Sequence, residues 1–386
     1  MVVRVGLERL LEDAGRLRSR RVGLVTHAAA VRADLSDAID GLHQAGATPA
    51  ALFSPEHGLE GAVADGAVVD DAVEPRTGVP VYSLYGSDQA PAADVLASLD
   101  VLLFDMQDVG VRFYTYISTL YHVLRSAAGA GVPVMVLDRP NPIGGVTLEG
   151  PLLEAGYESF VGIAAIPLRY GLTIGELARW FAADGDLDVD LTVVPMDNWR
   201  RELWFDETGL TWVPTSPAMP HLSTAMLYPG MCLLEGTNLS EGRGTALPFE
   251  ICGAPWLDGY ALARRLNALE VPGVRFRPLS FVPLADTRYG GELCGGVQVH
   301  VTDRAHLRPL TVGLKLISTV KAMVPDAFAW RAGSWEGEHP HVDLLAGTHR
   351  VREAIDAGAD MDGLIESWSG DLARFGEATR PIRLYG

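Results

Sequence analysis

Side chains that can exchange protons or bind anions directly follow four apolar segments of the sequence. The segments are 21–26, 50–53, 101–104 and 132–137. The side chains, in chain order, are His27, Glu56, His57, Asp105, Gln107, Asp108, Arg112, Asp138 and Arg139. In an open parallel sheet, ligands bind beyond the carboxyl ends of the strands. The pattern therefore predicts one polar cleft to which all four segments contribute.

A second group of polar residues lies in the glycine-rich stretch 234–245. It contains Glu235, Asn238, Glu241 and Arg243. Glycines let a backbone approach a ligand closely, and apolar residues anchor both ends of the stretch. We predict that this stretch contributes a second wall to the same cleft.

The sequence lacks the motifs of most cofactor-dependent enzymes and of serine hydrolases. No G-x-G-x-x-G follows the first apolar segment, and no Walker, H-E-x-x-H or G-x-S-x-G motif is present. We therefore expect no cofactor and no metal. One alternative is a metal-dependent hydrolase that uses His27, His57, Asp105 and Asp108, because strand-end ligands can converge.

A cleft rich in carboxylates without a cofactor motif fits glycoside hydrolysis. In that reaction one carboxylic acid protonates the leaving oxygen, and a second group attacks or stabilises the oxocarbenium centre. Tyr114, Tyr116, Trp212 and Trp256 are available to stack on sugar rings. Another alternative is a protein that binds such sugars without turnover.

Strand and helix patterns alternate in the first part of the chain. Helical patterns at 33–45 and 114–130 separate continuous apolar segments, and a capping box at Thr173 and Glu176 begins another helix. Such segments with helical crossovers indicate a parallel sheet covered on both faces. The predicted fold is α/β, with a Rossmann-like parallel-sheet domain over 1–245 and a smaller α+β C-terminal domain over 246–386.

Charge and composition exclude several classes of protein. The 386 residues carry a net charge of −18, which argues against binding to nucleic acid or to an anionic membrane surface. The three cysteines form no C-x-x-C motif, so neither a disulfide framework nor a thiolate zinc site is indicated. The first twenty residues lack the apolar core of a signal peptide, and we expect a cytoplasmic protein. The oligomeric state is left open.

Long sequence blocks resemble those of the NamZ-type exo-β-N-acetylmuramidases, and family members are often secreted. The blocks are LFSPEHGLEG (52–61), TGVPVYSLYG (77–86), FDMQDVGVRFYTYISTL (104–120), VLDRPNPIGG (136–145), LEGPLL (148–153), YGLTIGELA (170–178), YPGMCLLEGTNLSEGRGTALPFEICGAPW (228–256) and VHVTD (299–303). The resemblance implies a Rossmann-like domain that bears the active site and a smaller C-terminal domain. It also implies that the substrate is a peptidoglycan-derived saccharide, from whose non-reducing end N-acetylmuramic acid is released.

The resemblance allows roles to be assigned to the candidate residues. Glu56 is the predicted catalytic acid, because it follows a strand within the most distinctive block. Glu241 and Asp105 are predicted as further catalytic carboxylates, with Glu235 and Asp108 as alternatives. The acetamido group of the substrate itself is another alternative to an enzyme nucleophile.

We predict that the remaining polar residues bind substrate. Arg112, Arg139 and Arg243 are candidates to bind the lactyl carboxylate of muramic acid through two hydrogen bonds each. The other predicted substrate-binding residues are His27, His57, Gln107, Asp108, Tyr116, Asp138, Glu235 and Asn238.

The chain departs from the family pattern at two positions. Tyr170 stands where the family commonly has His, and Ala218 stands where it commonly has Asn. If either position touches the substrate, substrate preference would differ from that of the family.

Overall fold

A seven-stranded sheet lies at the centre of the first half of the protein. The computed structural model describes residues 2–333 and 339–386. Its strands are β1 (Val22–Thr26), β2 (Ala51–Ser54), β3 (Ala72–Val73), β4 (Pro80–Ser83), β5 (Val101–Asp105), β6 (Val134–Leu137), β7 (Glu149–Leu152), β8 (Pro167–Arg169), β9 (Leu191–Val194), β10 (Ile251–Ala254), β11 (Val274–Phe281) and β12 (Cys294–Val301). The central sheet has the order β3-β4-β2-β1-β5-β6-β9, and only the β3–β4 pair is antiparallel.

Helices cover both faces of this sheet. The helices of the whole described chain are α1 (Gly6–Leu11), α2 (Ala38–Gln44), α3 (Ala93–Ala97), α4 (Tyr116–Ala130), α5 (Ile174–Asp184), α6 (Leu222–Met231), α7 (Gly259–Ala268), α8 (Pro309–Met323), α9 (His341–Ala346), α10 (Arg350–Asp356), α11 (Met361–Glu366) and α12 (Ser369–Ala378). Apolar residues of α1 and α2 pack on one face with Leu103, and those of α4 and α5 pack on the other face with Leu102. Side chains alternate along a strand, so β5 is buried from both sides. The predicted α/β fold with a parallel sheet is confirmed.

The second half contains an antiparallel sheet of three strands, in the order β10-β12-β11. Helices α6 and α8 cross at Gly230 and Gly313. A Cβ atom at Gly230 would lie 1.8 Å from the carbonyl oxygen of Pro309, so no side chain fits there. One apolar core runs from Phe104 of the central sheet to Leu316 of α8. The division at residue 245 stays a prediction.

Two segments differ from the sequence-based expectation. The stretch 215–250 shows no clear helical periodicity in its sequence, yet it contains α6, whose pattern is obscured by an internal Pro229. The apolar spacing over 361–375 is that of one helix, but the structure has two, α11 and α12.

Within 2–333 and 339–386, none of the helices has the length and apolar character needed to cross a bilayer. A cytoplasmic location stays a prediction.

Strands β1, β2, β5 and β6 run in the same direction, so their carboxyl ends lie along one edge of the sheet. Thr26 at the end of β1 is paired with Asp105 at the end of β5. The polar residues that follow each strand are therefore brought to the same edge, as predicted. Their side chains nevertheless point to different surroundings.

Candidate active site

A cavity of about 620 Å³ lies where this edge meets the second half of the chain, and we call it the cleft. Its polar and charged lining includes Glu56, His57, Asp65, Thr115, Glu235, Glu241, Arg243, Asp286 and Arg288. The SPEHG turn after β2 and the glycine-rich stretch 234–245 thus contribute to one cavity. Five of these side chains carry carboxylates and three arginines, Arg243, Arg288 and Arg331, also line the cavity, so acidic groups outnumber basic ones in the cleft.

Glu56 is held at the sheet edge by two hydrogen bonds, one to each carboxylate oxygen. The backbone N–H of Gly66 donates to Oε1 at 3.0 Å, and the Thr115 hydroxyl donates to Oε2 at 2.7 Å. Thr115 directly precedes α4, so the start of that helix fixes its position. Glu56 is only 8% exposed, which leaves the carboxyl group in contact with the cleft but shielded from bulk water.

His57 adopts a left-handed backbone conformation with φ of 72°, which turns its side chain into the cleft. Its Nδ1 donates to the carbonyl oxygen of Val63 at 2.8 Å. In the neutral ring Nε2 is then the unprotonated nitrogen. It lies 3.8 Å from Oδ1 of Asp65.

Arg243 lies among three carboxylates of the cleft. It donates to Asp65 at 2.7 Å, forms an ion pair with Glu235 and lies 3.6 Å from Oε1 of Glu241. Its guanidinium stacks over the ring of Phe249 at 4.6 Å. The positive charge of Arg243 is therefore fully engaged by the protein's own acidic groups.

The two glutamates beside Arg243 differ in their affinity for a proton. Burial acts to raise the pKa of Glu235, but the charges of Arg243 and His341 outweigh it and lower the pKa to about 2. Burial raises the pKa of Glu241 above its ordinary value, and the nearby Glu235 charge adds to that rise. Neighbouring carboxyls with separated pKa values are the arrangement that acid–base catalysis uses.

Several predicted site residues are instead buried behind the cleft, where they contact protein partners. Arg139 forms a two-pronged ion pair with Asp105, with N–O distances of 2.6 and 2.9 Å. Asp105 is fully buried, so it cannot serve as a catalytic carboxylate. Asp138 accepts hydrogen bonds from Gly175 N–H at 2.8 Å and from the Thr173 hydroxyl at 2.8 Å at the start of α5.

Arg112 is likewise completely buried. Its two Nη atoms donate to the backbone carbonyls of Pro151, Ile166 and Leu345 at 2.8 to 3.1 Å. The residue therefore connects distant parts of the chain and is not available to a substrate carboxylate.

His27, Gln107 and Tyr116 form part of the same buried layer. Nε2 of His27 accepts the backbone N–H of Gln107 at 2.9 Å, and burial lowers the pKa of His27 to about 3. The Gln107 side chain donates to the carbonyl oxygen of Pro140 at 2.8 Å, and the Tyr116 hydroxyl donates to that of Thr215 at 2.6 Å. These residues support the floor of the site.

Asn238 and Asp108 also have structural partners. The Asn238 side chain donates to Ala327 O at 2.8 Å and accepts from Ala329 N–H at 3.0 Å. Asp108 accepts hydrogen bonds from the Gly110 N–H and the Tyr170 hydroxyl, and burial raises its pKa to about 6.

The two departures from the family pattern lie in different places. Tyr170 is completely buried, and its hydroxyl contacts Asp108 behind the cleft. Ala218 lines the cleft itself. Only the second departure can therefore touch a ligand directly.

Four residues line the cleft although their sequence context did not mark them: Asp65, Thr115, Asp286 and Arg288. Thr115 lies at the start of the helical pattern 114–130, so its position was visible in the sequence although its contact with Glu56 was not. The other three lie in loops without a recognisable motif, and the fold alone brings them to the cleft.

No cluster of three or more His, Cys, Asp or Glu side chains suited to holding a metal occurs in the described part of the chain. His27 and Asp105, which the metal-dependent alternative requires, each have their own buried partner.

Comparison with known proteins gives matches over nearly the whole chain. The family model for the N-terminal part of exo-β-N-acetylmuramidase NamZ matches residues 22–223, and the model for its C-terminal part matches residues 226–385. A relative from Bacillus subtilis strain 168, the peptidoglycan β-N-acetylmuramidase NamZ, is 43% identical, with 99% of this chain and 91% of the relative covered.

Two solved structures from Bacteroides fragilis, both DUF1343 family proteins, have the same fold. One is 36% identical with a TM-score of 0.90, and the other is 28% identical with a TM-score of 0.82. In both cases the match covers 100% of this chain and 99% of the other. Neither the metal-dependent alternative nor the non-catalytic one gains support from these matches. The chain belongs to the NamZ family of exo-β-N-acetylmuramidases, as its sequence blocks predicted.

Proposed function

We propose that this protein releases N-acetylmuramic acid from the non-reducing ends of peptidoglycan-derived glycans, with carboxyl groups of the cleft as acid and base. The observation that supports this most directly is that Glu56, Glu235 and Glu241 line one cavity in a chain of this family. The name of the Bacillus subtilis relative supports the choice of substrate.

In the proposed reaction, a carboxylic acid protonates the glycosidic oxygen while the bond from that oxygen to C1 of the sugar breaks. Water adds to C1 and gives up a proton, which restores the acid. We assign the acid to Glu56, because its carboxyl group is fixed through both oxygens at the sheet edge. The ionised Glu235 adds negative charge that stabilises the developing oxocarbenium centre.

Glu241 is the second candidate for the acid, because burial raises its pKa. Substrates with different leaving groups can distinguish the two assignments, because only a leaving group that needs a proton depends on the acid. A nitrophenolate leaves without protonation, whereas a sugar alkoxide does not. Loss of the true acid therefore harms hydrolysis of a disaccharide more than hydrolysis of a nitrophenyl glycoside.

The test compares purified wild-type protein with the Glu56→Gln and Glu241→Gln variants. Each is incubated with nitrophenyl β-N-acetylmuramide, with the glucosaminide analogue, and with a disaccharide that has N-acetylmuramic acid at its non-reducing end. We expect the wild type to cleave the muramides in preference to the glucosaminide. The loss of activity in Glu56→Gln should be larger on the disaccharide than on the nitrophenyl muramide. If wild-type protein cleaves neither muramide, the proposed function is wrong.

A further inference from the structure

A muramic acid residue differs from a glucosamine residue by a lactyl ether whose carboxylate is ionised at neutral pH. An enzyme that selects muramic acid needs a cation aimed at that carboxylate. The sequence offered Arg112, Arg139 and Arg243 for this task. The structure places Arg112 and Arg139 in buried hydrogen bonds outside the cleft, and three carboxylates already surround Arg243.

Arg288 differs from all three. It lines the cleft, and its Nη1 donates to the carbonyl oxygens of Thr237 and Leu239. Among the described residues it forms no ion pair with any carboxylate. Its charge acts on Glu241, whose pKa it tends to lower, so it lies beside the acidic groups of the cleft.

The hydrogen bonds of Arg288 leave one edge of the guanidinium available. Nη1 is occupied by two carbonyls, whereas Nε and Nη2 have no hydrogen-bond partner among residues 2–333 and 339–386 and are not sealed from solvent. These two nitrogens form the side of the guanidinium that can donate two parallel hydrogen bonds to one carboxylate.

The segment around Arg288 is fastened to the glycine-rich stretch, so the guanidinium is held in position before any ligand arrives. The hydroxyl of the neighbouring Tyr289 donates to the carbonyl oxygen of Asn238 at 2.7 Å, and Leu284 N–H donates to Gly244 O at 3.0 Å. A cation that is ordered in advance loses less side-chain freedom on binding.

We infer that Arg288 recognises the carboxylate of the lactyl ether and so sets the preference for muramic over glucosamine substrates. This inference rests on the proposed function, of which it names the specificity residue. Three observations support it: Arg288 lies in the cleft, its Nε and Nη2 edge is free of hydrogen bonds to the described residues, and none of those residues is an acidic partner.

The experiment varies the carboxylate of the substrate and the arginine together. The substrates are nitrophenyl β-N-acetylmuramide and the same compound with the lactyl carboxylate as its methyl ester. Wild-type protein should prefer the free acid. Arg288→Gln should lose roughly 10- to 100-fold in kcat/KM on the free acid, the usual range for a hydrogen bond to a charged group. It should lose much less on the ester, so the preference should collapse.

Two further variants keep the test decisive. Arg288→Lys retains the charge without the planar pair of donors and should give an intermediate preference for the free acid. It replaces Arg288→Gln in the test if thermal unfolding shows that Arg288→Gln is not folded. Arg264→Gln removes an exposed positive charge of α7 that does not line the cleft, so it should retain the preference for the free acid. Arg331→Gln removes another positive charge that lines the cleft.

Equal losses on acid and ester in both Arg288 variants would overturn the inference. Collapse of the preference in Arg331→Gln, with Arg288→Gln still selective, would also overturn it. Failure of the wild type to cleave either muramide would instead remove the proposed function, so the two failures are distinguishable.

Discussion

The buried layer and the cleft contain the same kinds of residue at the same edge of one sheet, but they use them differently. Asp105 and Arg139 follow neighbouring strands and satisfy each other inside the protein. Glu56 follows another of these strands, and its carboxyl group lines the cavity. The sheet edge thus has a structural side and a side that faces ligand.

The two sides differ in whether the hydrogen bonds and ion pairs of each charged group are all made to other protein groups. Both oxygens of Asp105 are engaged by a buried guanidinium. In the cleft, five carboxylates share few cations, and Arg243 alone contacts three of them. A surplus of one charge sign in a cavity is unfavourable for stability, and such a surplus is a mark of function.

The largest expected effect is on Glu56. The Glu56→Gln variant should lose about 10²- to 10⁴-fold in kcat on a muramyl disaccharide, the contribution typical of positioned acid–base catalysis. Steady-state kinetics measures the loss, and circular dichroism checks the fold. The Glu60→Gln variant is the matched control, since Glu60 lies on the same loop and is exposed. Near-full activity of Glu56→Gln would contradict the catalytic role.

The Asp105→Asn variant tests the structural side of the comparison. Breaking a buried ion pair leaves Arg139 without its counter-charge and should lower the free energy of unfolding by about 3–5 kcal/mol. Urea denaturation measures that change. The kcat of the protein that remains folded should stay within a few fold of wild type. A selective loss of kcat without a loss of stability would place Asp105 on the catalytic side.

The Arg243→Met variant should move the pH dependence of kcat/KM. Arg243 acts to lower the pKa of both Glu235 and Glu241. Without it both carboxyls hold their protons to higher pH, so the acid limb, which requires ionised Glu235, should shift upward. The basic limb should shift upward with it only if Glu241 rather than Glu56 is the acid. The exposed Arg374→Met variant, remote from the cleft, provides the control. A downward shift would show that other charges govern these two groups.

The smallest of these effects is expected at Thr115. The Thr115→Val variant removes one of the two hydrogen bonds that hold Glu56, a contribution of about 1 kcal/mol, or about fivefold in kcat. KM should change little, because the hydroxyl positions the carboxyl group rather than the sugar. Thr115→Ser should restore activity. If Thr115→Ser is as impaired as Thr115→Val, the hydroxyl is not what matters.

The sequence was sufficient for the parts of the fold that depend on local pattern. Strands β1, β2, β5 and β6 are continuous apolar runs, and the capping box at Thr173 begins α5 as expected. Helix α6 was missed because Pro229 and glycine interrupt its pattern, although neighbouring helices hold it in place.

The site was predictable only where a motif marked it. Glu56 and the glycine-rich stretch were found because their residue types and glycines are conspicuous. The position of Arg112 outside the cleft could not be foreseen, because its partners are backbone carbonyls far away in sequence, including Leu345, and a carbonyl leaves no signature in residue type. Arg288 was missed for the converse reason, since a loop without a motif delivers it to the cleft.

The position of Glu235 in the cleft depends on a helix contact outside the cavity, that of α6 and α8 through Gly230 and Gly313. The last residue of α6 is followed at once by a short 3-10 helix, Cys232–Gly236, which bears Glu235. A methyl group at Gly313 would lie 2.2 Å from the carbonyl oxygen of Gly230 and would force the helices apart. Glu235 would move with α6. A mutation of one glycine that contacts no sugar would therefore lower the activity of the enzyme while leaving every catalytic side chain in the sequence.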